Sequence, residues 1–169
     1  MALNRIPDEI DRSGKDRKKS NPQEQTDVLG ALSHVLADTY NVYLKTQYYH
    51  WNVVGEQFYS LHRLFEKQYK SLASAVDRIA ERIRALDASS PGTFKEFQSL
   101  SCLKEDTTLP QSWQQMVKNL ITDHEHLIAC SNKAMDVADA IHDKVTEDLM
   151  IKRSQSHEKI RWMLESTLA

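Results

Sequence analysis

Four side chains that can ligate a cation lie on one stretch of this chain in mirror-related order: His62, Glu66, Asp77 and Glu81. His62 and Glu66 are spaced i, i+4, and so are Asp77 and Glu81. The mirror point falls between Ser71 and Leu72. On a helix rising ~1.5 Å per residue, His62 and Asp77 stand roughly 22 Å apart, too far to hold one ion within a chain. An antiparallel copy of the same helix across a two-fold axis would set each His62/Glu66 pair beside a partner's Asp77/Glu81 pair. The pattern predicts half of an inter-subunit metal site.

Imidazole and carboxylate without thiolate suit iron, manganese or zinc, and open positions suit redox iron. Two carboxylates facing two histidines leave room for a pair of ions. With 100° per residue, His62, Glu66, Ala73, Asp77 and Glu81 fall within about a 100° sector. Small residues at Ala73 and Ser74 allow two backbones to approach, and Lys70 could pair with a carboxylate across the axis. His50 lies close by in sequence. The competing expectation for any one of these groups is a solvated helix face.

The element carrying them is a helix over about 57–87, with Leu61, Phe65, Tyr69, Leu72, Val76, Ile79, Ile83 and Leu86 on one apolar stripe. A first helix is expected over about 22–50, from Val28, Leu32, Val35, Thr39, Val42, Thr46 and Tyr49. Asn21, Pro22 and Glu24 form its start signal, and Gly55 follows its end. After Ala88-Ser89-Ser90-Pro91-Gly92 comes a longer connection with a short helix at 93–100. Two further helices are expected at about 111–141 and 145–167, the last capped by Asp143 or Thr146. Only four Gly and four Pro in 169 residues leave few turns, which agrees with long helices. The spacing predicts an all-α four-helix bundle over 21–169, with a long crossover connection between two hairpins. No run approaches the ~18 apolar residues of a membrane helix. A polar N-terminus and two cysteines, Cys102 and Cys130, without zinc-like spacing, predict a cytoplasmic protein with reduced thiols.

Tyr49-His50-Trp51-Asn52-Val53-Val54-Gly55, then Phe58, Leu61-His62, Phe65-Glu66, Tyr69 and Asp77-Arg78-Ile79-Ala80-Glu81-Arg82-Ile83 resemble the Dps family, the ferritin-like DNA-binding proteins from starved cells. Thr146-Glu147-Asp148-Leu149, Arg153, His157-Glu158-Lys159 and Trp162-Met163-Leu164 resemble its last helix. The resemblance covers about 22–167. It implies a ferritin-like bundle, a hollow homododecamer, and ferroxidase sites at two-fold interfaces. One subunit would supply His50 and His62, its neighbour Asp77 and Glu81. It also implies Fe(II) and hydrogen peroxide as substrates, storage of ferric mineral, and protection of DNA from oxidative damage. Glu66 stands where many members carry Asp, which lengthens the reach by one methylene. Tyr49 and Trp51 are placed either to intercept oxidising equivalents or to pack. A di-iron site inside one bundle would need Glu-x-x-His; Asp123-x-x-His126 and Asp139-x-x-His142 lack the glutamate.

Three secondary signals complete the reading. Asp139, Asp143 and Asp148 lie at a helix junction where the resemblance implies acidic three-fold pores that attract Fe(II). Residues 1–20 read as a flexible arm, basic through Arg12, Lys15, Arg17, Lys18 and Lys19. Residues 1–25 hold six Lys/Arg against five Asp/Glu, a weak excess unless repetition over a cage multiplies it. The arm supports an alternative function: a non-specific, salt-sensitive DNA-compacting protein with a vestigial metal site. His124 and His126 diverge by about 200° on a helix, so they are expected to be surface or crevice histidines rather than one site. His34 is given no role.

Overall fold

A computed structural model of the chain describes residues 22–169. The arm residues Arg12, Lys15, Arg17, Lys18 and Lys19, and the Asn21 cap, lie outside the described residues. Five helices follow in order: α1 (Pro22–Asn52), α2 (Phe58–Ala85), α3 (Phe94–Leu100), α4 (Trp113–Ala140) and α5 (Lys144–Glu165). Every expected helix is present. α1 and α2 form one antiparallel hairpin, and α4 and α5 the other. α1 packs on α4, while α2 meets α5 more sparsely.

The stripe read on α2 is the core face: Leu61, Phe65, Leu72, Ile79 and Ile83 are all at most 1% exposed. Burying each such side chain contributes about 1.5–3 kcal/mol, which is what holds α2 against α1. The core divides into two apolar clusters. One gathers Tyr49, Phe65, Leu120 and Leu164, and the other Leu32, Ile79, Ile83 and Met150. Thr39, Ser131, Arg153 and His157 are buried polar residues that fall between these clusters in sequence.

The helix ends explain the turns. Gly55 takes φ 100°, a left-handed conformation that costs other residues more, and its carbonyl accepts from Phe58 N at 3.0 Å. α2 ends in a Schellman motif: Asp87 N donates to Arg84 O and Ala88 N to Ile83 O, with Asp87 at φ 62°. α4 ends the same way, with His142 at φ 61°. Thr93 and Glu96 make a reciprocal capping box on α3, and Ser112 caps α4. Asp143 caps α5, accepting from Thr146 N at 3.2 Å.

The crossover connection is tied to α1 by Asp38, a fully buried carboxylate. Its Oδ1 accepts from Ser101 Oγ at 2.7 Å and from Cys102 N at 2.8 Å.

Candidate metal centre

The end of α1 and the first turns of α2 bring His50 and His62 face to face. Their rings stack with centroids 3.8 Å apart. Each ring is also anchored by the other's backbone. His50 Nδ1 meets His62 O at 2.8 Å, and His62 Nδ1 meets His50 O at 2.8 Å. A carbonyl can only accept, so both Nδ1 atoms must donate. In the neutral rings this leaves Nε2 with its lone pair on both residues, the form a metal ion needs. Tyr69 lies edge-on to His50 at 5.2 Å, and Phe58 lies against His62 at 5.1 Å. Trp51, next to His50 in sequence, and Phe58 and Tyr59 at the start of α2 are exposed aromatics.

Glu66 sits one turn beyond His62, half-buried. Lys70, one turn further, pairs with it within the chain. The hydrogen bond and charge of Lys70 hold the Glu66 carboxyl below the usual carboxylate range. Asp77 and Glu81 lie exposed further along the same helix face and have no ion-pair partner among the described residues. The cations nearest in sequence are committed elsewhere. Arg78 bonds Ser74, and Arg82 Nη2 donates to both carboxylate oxygens of Asp143 at 2.7 and 2.8 Å while its Nε donates to Thr146 Oγ1. The five expected ligands do not converge within one chain. The one cluster of metal-type ligand atoms among the described residues is elsewhere, at Asp38, Cys102 and His126.

The expected pore residues are each engaged within the chain. Asp139 pairs with Lys144, Asp148 with Lys152, and Asp143 with Arg82. Asp139 and Asp148 remain exposed, whereas Asp143 is partly enclosed as the α5 cap.

One expectation about another residue changes. His124 is not at the surface; it is fully buried and faces His157, also fully buried, with Nδ1 atoms 3.0 Å apart. One ring must donate and the other accept. Both Nε2 atoms lack a protein partner. His126, two residues on, points the opposite way to Asp38 Oδ2 at 2.8 Å. His34 is tied to the end of α3, its Nδ1 against Leu100 O at 2.7 Å. The alternatives for Tyr49 and Trp51 separate by burial. Tyr49 is packed in the core with its hydroxyl donating to Asp106 and accepting from Asn119, while Trp51 is 63% exposed.

A four-helix chain with a long connection between its hairpins and ligand-type side chains on its second helix is a ferritin-like domain. The family model for that domain matches residues 29–169. The chain is 40% identical to a low temperature-induced protein of Nostoc sp. over 85% of its own length and 81% of that protein. It is 33% identical to DNA protection during starvation protein 2 of Bacillus anthracis, over 83% and 96% of the two chains. The crystal structure of a Dps protein from Vibrio cholerae, described as a member of a broad superfamily of ferritin-like diiron-carboxylate proteins, superposes with a TM-score of 0.83 at 28% identity. That match covers 87% of this chain and 92% of the other. The chain belongs to the Dps family of ferritin-like proteins. No helix among the described residues is long and apolar enough to cross a membrane.

Proposed function

We propose that this protein is a ferroxidase and iron store whose catalytic site is completed between two subunits. In this reading α2 packs antiparallel on α2 of a second copy. His50 and His62, with Glu66 at the margin, then face Asp77 and Glu81 of the partner subunit, and the assembly is a homododecameric cage. The carrying observation is that the chain holds two preset imidazoles and, further along α2, two exposed carboxylates without an ion pair. These carboxylates have no ion-pair partner among the described residues, and the exposed aromatics Trp51, Phe58 and Tyr59 are left for a neighbour to cover.

The substrate is Fe(II). The carboxylates supply hard anionic oxygens and the imidazoles borderline nitrogens, a set that suits both ferrous and ferric iron. Two Fe(II) ions held together can pass two electrons to one hydrogen peroxide. Its O–O bond breaks heterolytically into water or hydroxide, and no hydroxyl radical is released. With water supplying the remaining oxygen, two Fe(II), one peroxide and two waters give two FeOOH units and four protons. The ferric product moves to mineral inside the cage, and DNA is spared radical damage. Asp139, Asp143 and Asp148 are proposed to line the iron entry path, with attraction weakened by their own Lys and Arg partners.

Stopped-flow absorbance with Fe(II) and peroxide tests the site. Replacing Asp77 and Glu81 together by Ala is expected to abolish fast oxidation while a cage still assembles. Wild-type rates in that variant refute the assignment.

The charge run Arg12, Lys15, Arg17, Lys18 and Lys19 favours a second role, sequence-independent DNA binding through the arm. A gel shift at fixed salt with and without residues 1–20 decides it. Undiminished binding by the truncated protein rules the arm out.

A further inference from the structure

We infer that Asp38, Cys102, His126 and Cys130 form a second metal site, for a thiophilic divalent ion of the zinc class. It joins α1, α4 and the crossover connection within one subunit. A carboxylate oxygen of Asp38, Cys102 Sγ and a ring nitrogen of His126 all lie within 4.8 Å of one another. Cys130 Sγ stands 3.2 Å from His126 Nε2 and 3.8 Å from Asp38 Oδ2. Bonds of ~2.0–2.3 Å to oxygen, nitrogen and sulfur make the edges of a tetrahedral site roughly 3.3–3.8 Å. The Asp38–His126 contact of 2.8 Å needs to open by only a few tenths of an ångström.

The bland account is that the cluster merely fastens the connection. Asp38 divides its work in a way that argues otherwise. Its Oδ1 takes the loop donors Ser101 Oγ and Cys102 N, which with the bonds of Asn41 to Ser101 and Leu103 already hold the connection. Its Oδ2 faces the His126 ring nitrogen and the Cys130 sulfur instead. The donors come from three separate elements, and each is already placed by its backbone. A solvent-open groove of about 930 Å³, lined by His34, Cys102 and Cys130, reaches both cysteines, so an ion can approach from that side.

Binding is a proton exchange. The ion takes both sulfurs as thiolates and releases their two protons to water. The Nε2 proton that His126 gives to Asp38 must leave or move to Nδ1. Two sulfurs, one nitrogen and one oxygen select a softer ion than the all-nitrogen/oxygen set on α2. One chain thus carries two sites of different preference, and the thiolate pair gives the second a spectroscopic mark of its own.

Cobalt(II) titrated into the full-length, metal-free, reduced protein reads that mark, on an Asp77→Ala/Glu81→Ala background that removes the α2 carboxylates. We expect a thiolate-to-cobalt charge-transfer band that saturates at one ion per chain and is displaced by zinc. Cys102→Ser, at an exposed position on the connection, should weaken it at least roughly tenfold, and so should His126→Gln. Cage size and helix content of each variant are checked by sedimentation and circular dichroism. Absence of the band in the folded cysteine-intact protein overturns the site. So does a band that survives Cys102→Ser, or a Cys102–Cys130 disulfide that persists after purification under reducing conditions.

Discussion

His50 and His62 orient each other through the backbone: each Nδ1 donates to the other residue's carbonyl at 2.8 Å. The α1–α2 turn therefore does more than reverse the chain. It fixes two tautomers with one pair of reciprocal bonds. His62→Phe keeps a ring against His50 and Phe58 but removes both nitrogens. Its iron oxidation should fall to the rate of Fe(II) and peroxide in buffer. Losing the bond to the His50 carbonyl should also cost about 1 kcal/mol of stability. Stopped-flow traces and urea unfolding measure the two effects separately.

Lys70 competes with iron for Glu66. The pair is exposed and salt-sensitive, so its release is expected to be modest. Lys70→Ala should tighten Fe(II) binding a few-fold if Glu66 is a ligand, and the gain should vanish in the Lys70→Ala/Glu66→Gln double variant. Anaerobic Fe(II) titration calorimetry checks both, and an equal gain in the two proteins would exclude Glu66 from the site.

Asp143 links the two hairpins by capping α5 and gripping Arg82 of α2. Burial pushes its carboxyl upward, but Arg82 and the Thr146 donors together bring it below the ordinary carboxylate range. A depressed carboxyl contributes stability that is complete above the unfolded value and is lost as pH falls through the folded one. Asp143→Ala should cost about 2 kcal/mol near neutral pH, from the lost cap and an unpaired guanidinium. The difference from wild type should shrink in acid, below the ordinary carboxylate range. Denaturation series from pH 7 to about pH 3 would show it.

His124 and His157 make the core acid-sensitive from within. Burial pushes His124 down to about 3. Burial, with His124 and Arg153 beside it, holds His157 well below the ordinary histidine range. The unfolded chain takes up protons below about pH 6.5 that the folded chain refuses, so stability falls as pH drops. His124→Leu/His157→Leu should flatten that slope by up to ~1.4 kcal/mol per pH unit for each histidine. Because both partners leave together, stability at neutral pH should change little. An unchanged slope would mean that the pair is protonated in the folded state.

The helices were readable because their apolar periodicity is long and unbroken, and each expected end lies within two residues of the observed one. The α2 ligand face was readable for the same reason, since spacing along one helix survives folding unchanged. What spacing could not reveal was pairing between distant elements. The mutual anchoring of His50 and His62 depends on how tightly the α1–α2 turn closes. The burial of His124 depends on α5 carrying His157 opposite it. Asp38 meets Cys102 and His126 only because the connection crosses α1 and returns along α4. There the His126/Cys130 spacing of i, i+4 was the single local hint.

Anomalous scattering at the iron edge, from crystals prepared with Fe(II) without oxygen, tests the inter-subunit site most directly. Iron is expected at two symmetry-related sites in each two-fold interface, each coordinated by His50 and His62 of one subunit with Asp77 and Glu81 of the partner subunit. Crystals with these residues out of reach of one another, or with iron bound only by groups of a single chain, would contradict it.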